Sequence, residues 1–243
     1  MVLLLAASVS GCANFQTGQT KLQAVKTVGI ISGLGDRISV VKTGLTGIAN
    51  VDQSYPISSW NIDDLIIQQA MAAVSSHFQV QPVTYARATF AALDKESVVT
   101  PVNLVRGDPV ERLVRTAVSP QGLDAYIVIT KARIGFGGGG RKLEGIGLVT
   151  HGTLTSSYSL VHVLYEVRVI DGRTFDVIEK RTADPLGEAE TLRLQGPSRR
   201  VDDLYATFNG DPSKDETLRQ AVTSLLTASL SATLSDMHLA DIR

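Results

Sequence analysis

One cysteine in 243 residues, Cys12, leaves no disulfide framework to draw. Charge of neither sign dominates: 23 Lys and Arg face 24 Asp and Glu, a formal net charge of −1, so no basic field supports a nucleic-acid partner. Beyond the first dozen residues no segment approaches the ~18 uninterrupted apolar residues of a membrane-spanning helix. The four histidines, His77, His151, His162 and His238, never stand at a metal-binding interval such as His-x-x-x-His. There is no Gly-x-Ser-x-Gly elbow for a serine hydrolase and no Gly-Lys-Ser/Thr for a phosphate loop. No internal repeat is visible. What is present is 44% hydrophobic content with 19% charge, over a length that suits one large domain or two small ones. That is the composition of a folded body with a sizeable core.

The chain opens with an uncharged apolar leader, Met1-Val-Leu-Leu-Leu-Ala-Ala-Ser-Val-Ser-Gly11, and Cys12 follows it directly. Leader and junction, Val9-Ser10-Gly11-Cys12, resemble a bacterial lipoprotein signal, in which small residues fit the peptidase and the thiol beyond the cut carries the lipid. The leader lacks the Lys or Arg of a secretory n-region, which a start lying further upstream would supply. The resemblance implies residues 1–11 as signal peptide, and a thioether-linked diacylglycerol and an acylated amine on Cys12, with palmitate-type chains. At about 0.8 kcal/mol per buried methylene, two such chains suffice for stable anchoring. Ala13 stands where an Asp would favour the inner membrane, so the resemblance points to the outer membrane, facing the periplasm. Residues 12–23 then read as the lipidated cysteine and a polar tether.

Residues 24–243 read as a single α/β domain with an α+β tendency. Ala24–Ile31 and Arg37–Leu45 are rich in Val, Ile and Thr, with Gly33-Leu-Gly35-Asp36 between them, which predicts a hairpin. Ile62, Leu65, Ile66, Ala70, Ala73 and Val74 take helical spacing, so a helix is expected over 62–77 with Asn61 as N-cap and Asp63 and Asp64 in its first turn. Trp60 before the cap suggests a hydrophobic staple onto Leu65 or Ile66. Residues 78–83 alternate as a strand, making a β-helix-β crossover. A short helix over 85–93 follows, then a strong start at Asp108-Pro109-Val-Glu111, with Val110, Leu113, Val114 and Ala117 on one face.

Ala125–Thr130 is continuous enough in apolar residues to be a central strand buried on both faces. Between Tyr158 and Ile170, Val161, Val163, Tyr165, Val167 and Val169 alternate with His162, Glu166 and Arg168, which predicts one packed and one wet face. Asp171-Gly172 turns the chain into a returning strand over 175–179. Residues 184–213 read as an irregular excursion with at most short helices. A final helix over 214–239 buries Leu218, Val222, Leu225, Leu226, Leu230 and Leu234. The fold expected is a mixed sheet with helices packed on it, long antiparallel hairpins in the second half and a C-terminal helix.

This element order, carried by Val25–Ile31, the helix-then-strand of 62–83 and Leu123–Ile129 entering a hairpin, resembles the α/β domain shared by three envelope proteins. These are the curli-secretion lipoprotein, the penicillin-binding-protein activator lipoproteins and the N-terminal domain of the Tol translocation protein. An extra hairpin with Tyr55-Pro56 departs from their pattern. The resemblance covers roughly 25–182 and implies envelope assembly or regulation without catalytic residues. From curli secretion it also implies a rival, a pore built from hairpins, with Thr130, Ala132, Ile134 and Phe136 facing lipid and Lys131 and Arg133 a lumen.

Gly135-Phe-Gly137-Gly-Gly-Gly140 satisfies a dinucleotide pattern formally, but the residues after it have no helical stripe to present amides to a pyrophosphate. Eight glycines between 135 and 152 exceed what a turn requires, so something is expected to approach this loop closely. Phe136, Arg141, Lys142 and Ile146, with Leu148, would supply contact area and charge to a partner. Ser156, Ser157 and His151 are the nearest approach to a nucleophile and base. The acid pairs Asp63-Asp64 and Asp202-Asp203 read as solvated or capping groups. The expectation is a non-catalytic, lipid-anchored module for an envelope protein or cell-wall partner, with no metal, no small-molecule cofactor and no nucleic acid. The alternatives are the pore, or an enzyme, a hydrolase for example, whose site assembles from distant residues.

Overall fold

The computed structural model describes residues 18–43, 51–93, 108–136, 141–152, 157–186, 194–201 and 210–241. In chain order α1 (Gly18–Gln23) leads into β1 (Thr27–Gly33), β2 (Arg37–Thr43) and β3 (Val51–Pro56). Next come α2 (Ile62–Val74), β4 (Gln79–Gln81), α3 (Arg87–Ala91) and α4 (Pro109–Ala117). The second part holds β5 (Ala125–Lys131), β6 (Arg133–Phe136), β7 (Arg141–Gly152), β8 (Ser157–Asp171), β9 (Val177–Thr182), β10 (Ser198–Val201) and α5 (Glu216–Asp236). The strands form one mixed sheet ordered β3-β2-β7-β8-β5-β1-β4, with β9 and β10 beside β8 and β6 beside β7. Helices pack on this sheet, and the expected α/β class holds.

Strand β8 is the spine. Its C-terminal half pairs with β5 along Lys131↔Tyr165 to Ala125↔Asp171, and with β9 on the opposite edge. Its N-terminal half pairs with β7 along Gly145↔Leu164 to Gly152↔Ser157, and with β10 opposite. Two half-sheets therefore share one long strand. In the first, β1 lies parallel to both β4 and β5, and the crossover through α2 is the one the sequence predicts. In the second, β2 lies parallel to β7 and antiparallel to β3.

The main core fills one face of both half-sheets. Val28, Ile30, Ile127, Ile129, Val163, Tyr165 and Val167 meet Ile66, Ala70 and Val74 of α2 and the expected leucine stripe of α5. On the opposite face the first half-sheet is covered by α3 and α4, through Phe90, Val110 and Val114 against Ile31, Tyr126, Val128 and Ile170. Among the described residues no helix covers the second half-sheet there. Instead Phe136 and Leu143 of the β6–β7 hairpin, with Leu194, close over Val41, Val149, Leu160 and Leu164.

Several expectations change. β1 and β2 are not a hairpin, because the chain leaves the first half-sheet at Gly33 and enters the second at Arg37; the hairpin lies one strand later, between β2 and β3. Gly33 permits the crossing, since a Cβ there would stand 2.6 Å from that of Phe90. Asn61 makes no side-chain cap; it adopts φ 52° and ψ 41°, a left-handed link between a short 3-10 turn and α2 that Asn tolerates. Trp60 is buried, but its Nε1 donates to Ser213 O at 2.9 Å, tying α2 to the entry of α5. The wet face of β8 does not exist: His162 and Arg168 are 0% and 2% exposed and Glu166 is 9%. The excursion 184–213 contains β10, paired with β8 from Ser198↔His162 to Val201↔Ser159. Residues 18–23, read in the sequence as part of a polar tether, form α1, and Leu22 joins the main core.

Other expectations stand. Asp108 caps α4, its Oδ1 accepting from Val110 N at 2.8 Å. Unannounced by the sequence reading, Asp215 caps α5 by accepting from Leu218 N at 2.9 Å. Among the described residues no helix is long and apolar enough to cross a membrane.

Candidate functional site

In an open α/β sheet the default ligand crevice lies beyond the carboxyl ends of the parallel strands, where the order reverses. Here that point is the end of β1, between β4 and β5. The backbone bends there through Leu34 and Gly35, the latter at φ +111°, and presents two amides as an anion would need them. Asp63, from the first turn of α2, already fills the place. Its Oδ1 accepts from Ser32 Oγ at 2.6 Å, Leu34 N at 3.0 Å and Gly35 N at 3.3 Å. Beside it the Tyr85 hydroxyl accepts from Ser32 N at 2.9 Å and donates to Ser32 O at 3.0 Å. Burial raises the pKa of that phenol, with the Ser32 hydrogen bond opposing, so it stays a neutral donor. Lys131 lies across Gly35 and Gly145 and donates to Ala91 O at 3.2 Å. The nest that a phosphate would occupy is filled by the chain's own carboxylate.

A second cluster sits under the start of α4. Arg168 donates from Nε to Asp108 Oδ2 at 3.0 Å and from Nη1 to Thr130 Oγ1 at 3.0 Å. Its Nη2 lies 2.5 Å from Glu166 Oε1, and Lys180 Nζ is 3.0 Å from Glu166 Oε2. Asp108 thus caps a helix with one oxygen and holds the sheet with the other. Every charge here has a partner, which makes the cluster a clamp between α4, β5, β8 and β9 rather than a set of groups free to act on a substrate.

The third arrangement is not satisfied. Ser39, Gly147, His162 and Ser198 stand in one cross-strand row over β2, β7, β8 and β10, all on the face closed by the β6–β7 hairpin. His162 Nδ1 lies 3.1 Å from Gly145 O, and because a carbonyl only accepts, this nitrogen carries the proton. Among the described residues Nε2 is left as a buried lone pair without a partner, and the Oγ of Ser198, its neighbour across the strands, is likewise unpartnered. Gly147 makes room for the ring, since a Cβ there would overlap His162 Nε2 and Ser39 Oγ. Burial lowers the imidazole from 6.5 to about 4, against the opposing pull of the Gly145 carbonyl. The ring is neutral at neutral pH. Sequence alternation missed this row because it assigned His162 to solvent; the glycines of β7 were the available signal.

At the other end of the molecule, shallow clefts of about 470, 420 and 800 Å³ adjoin one another around the ends of α2 and α5. His77 Nε2 meets Asp241 Oδ1 there at 2.9 Å, with both side chains well exposed. Among the described residues no three His, Cys, Asp or Glu side chains converge as a metal site would need.

Of the residues singled out in the sequence, Cys12, Ser156, Asp202 and Asp203 lie outside the described residues, as do glycines 137–140 and the side chains of His151 and Ser157. Phe136 and Ile146 are 5% and 2% exposed, the first in the hairpin cluster and the second in the main core. Neither offers surface to a partner, which corrects the expectation; a β-strand turns alternate residues inward, and both fall on inward positions. Arg141 is half-buried and Lys142 exposed, at the start of β7, where the sequence leaves its four consecutive glycines. Thr130 and Ala132, assigned to lipid in the pore alternative, are 2% and 7% exposed within the fold.

No protein-family model matches the chain, and no curated protein matches it. Among solved structures it is similar to the lipoprotein GNA1162 from Neisseria meningitidis, with a TM-score of 0.31 and 11% sequence identity, over 87% of this chain and 99% of that one.

Proposed function

We propose that this chain is a lipid-anchored protein of the cell envelope, held at the outer membrane facing the periplasm, that serves as a non-catalytic binding or assembly module. The observation that carries the reading is the Val9-Ser10-Gly11-Cys12 junction behind an apolar leader in a chain with no other cysteine. The self-filled crevice at the end of β1 is consistent with it, because a small-molecule site at that position would leave donors free for the ligand. The partner is an envelope protein or a cell-wall polymer, and the surface assigned to it is the tip of the β6–β7 hairpin, where Arg141 and Lys142 flank four consecutive glycines. Glycine-rich backbone allows close approach, and the two cations supply attraction to an acidic surface.

The test is intact mass and membrane fractionation of the wild type beside Cys12→Ala in a Gram-negative host. A lipid-sized mass gain with membrane association, both lost in the variant, is the expected result. An unmodified, unattached protein in both cases removes the reading.

A further inference from the structure

Resting on the lipid-anchor reading, we infer that the end of the domain formed by α1, the α2–β4 turn and the end of α5 lies against the bilayer surface, and that the second half-sheet points away from it. The argument begins with chain length. Cys12 and Gly18, the first residue of α1, are six residues apart, so whatever path the chain takes between them spans at most about 20 Å. A lipid on Cys12 therefore holds α1 within that distance of the membrane.

From α1 onward the attachment is firm. Leu22 is 8% exposed in the main core, and Ala24 N and Val25 N donate back to Lys21 O and Leu22 O. Asp124 Oδ2 then accepts from Lys26 N at 3.1 Å and from Thr27 N and Thr27 Oγ1, each at 2.9 Å. These bonds lower the Asp124 pKa, that to the Thr27 amide most. The anchor cannot swing free of the sheet without breaking them. Leu22, Gln23 and Val25 share a cleft with His77, Phe78 and His238, which puts the end of α2 and the end of α5 at the same level as α1.

Topology places the second half-sheet further out, while the Asp124 loop and the β8–β9 turn stay at the level of α1. β1 and β5 run away from this end, and the second half-sheet pairs with the part of β8 that continues beyond them. The occupant of the α1 end is thus a lipid headgroup surface, and the second half-sheet is left facing the periplasm.

Cys12 being the only cysteine, its thiol is consumed in the lipidated protein, and an introduced cysteine is the one free thiol. Ser76→Cys, just past α2, and Ser59→Cys, just before it, are both exposed serines; the 13 residues of α2 separate them by about 20 Å. Each lipidated variant carries a bimane on the new thiol and is reconstituted into phosphatidylethanolamine/phosphatidylglycerol vesicles containing a headgroup nitroxide lipid. The expected result is loss of bimane fluorescence at position 76 and none beyond a nitroxide-free control at position 59. Equal loss at both, no loss at either, or loss at 59 alone overturns the orientation in protein whose mass shows the lipid. Protein lacking the lipid overturns the anchor reading, and this inference with it.

Discussion

The two half-sheets share β8 and one continuous core, yet they meet their buried polar groups in opposite ways. In the first, α3 and α4 cover the second face and bring partners with them, Asp108 for Arg168 and Ala91 O for Lys131, while α2 supplies Asp63 to the amides after β1. In the second, the described cover, a hairpin and a short returning segment, is apolar, and among the described residues His162 Nε2 and Ser198 Oγ go without. A buried polar atom with no partner costs about 1–3 kcal/mol. The helix-covered half is accordingly the one built for stability, and the hairpin-covered half holds the margin for change.

The sharpest way to break the contrast is Arg168→Met. It strips the clamp, leaving Asp108 without its counter-charge and Glu166 with Lys180 alone, so unfolding by urea should report a loss of about 4 kcal/mol. A variant within about 0.5 kcal/mol of wild type would show that the first half-sheet owes nothing to the clamp.

Acid tests the second half-sheet. The unfolded chain takes up a proton on His162 near pH 6.5 and the folded chain only near 4, so this contribution is complete above 6.5 and is lost as the pH falls toward 4. The expected loss is about 3 kcal/mol, read from denaturation midpoints across that window and absent in His162→Gln. An unchanged pH slope in the variant would sink the assignment.

Asp63→Ala probes the bend where the chain passes between the halves. Leaving Ser32 Oγ and the Leu34 and Gly35 amides without their acceptor should cost about 2 kcal/mol. Hydrogen exchange should quicken first at residues 32–36; uniform quickening throughout would mean that the bend is not a separate unit. The smallest effect is expected from Asp215→Ala, which removes one cap from a 21-residue helix and should lower stability by about 1 kcal/mol without altering the pH slope.

Local signals were legible wherever a residue answers to its neighbours in the chain. Asp108 before Pro109 starts α4, the leucine stripe of α5 is buried, and Ala125–Thr130 is the central strand it reads as. The failures came where a partner arrives from far away. Val and Ile in β1 and β2 say strand but not which strand, and Gly33-Leu-Gly35-Asp36 looks like a hairpin turn until Asp63 is seen gripping it as a bend between sheets. The alternation in β8 is real, yet polarity failed to mark the wet side, because Asp108, 60 residues away, neutralises Arg168, and Gly147 opens room for His162. Of the proposed partner loop, Phe136 turned inward once β6 paired with β7, and Ile146 once β7 lay between β2 and β8.

Sequence by itself determined the class of the fold, the helices and the Asp108 cap of α4, the central strand and the cysteine behind an apolar leader, since each rests on periodicity or on spacing within a few residues. Only the tertiary structure decided that β1 and β2 belong to different half-sheets, that β8 is buried on both faces and that, among the described residues, one ring nitrogen of His162 is left without a partner. Pairing and burial depend on which distant segments meet, and a local pattern carries no record of its neighbours across the sheet.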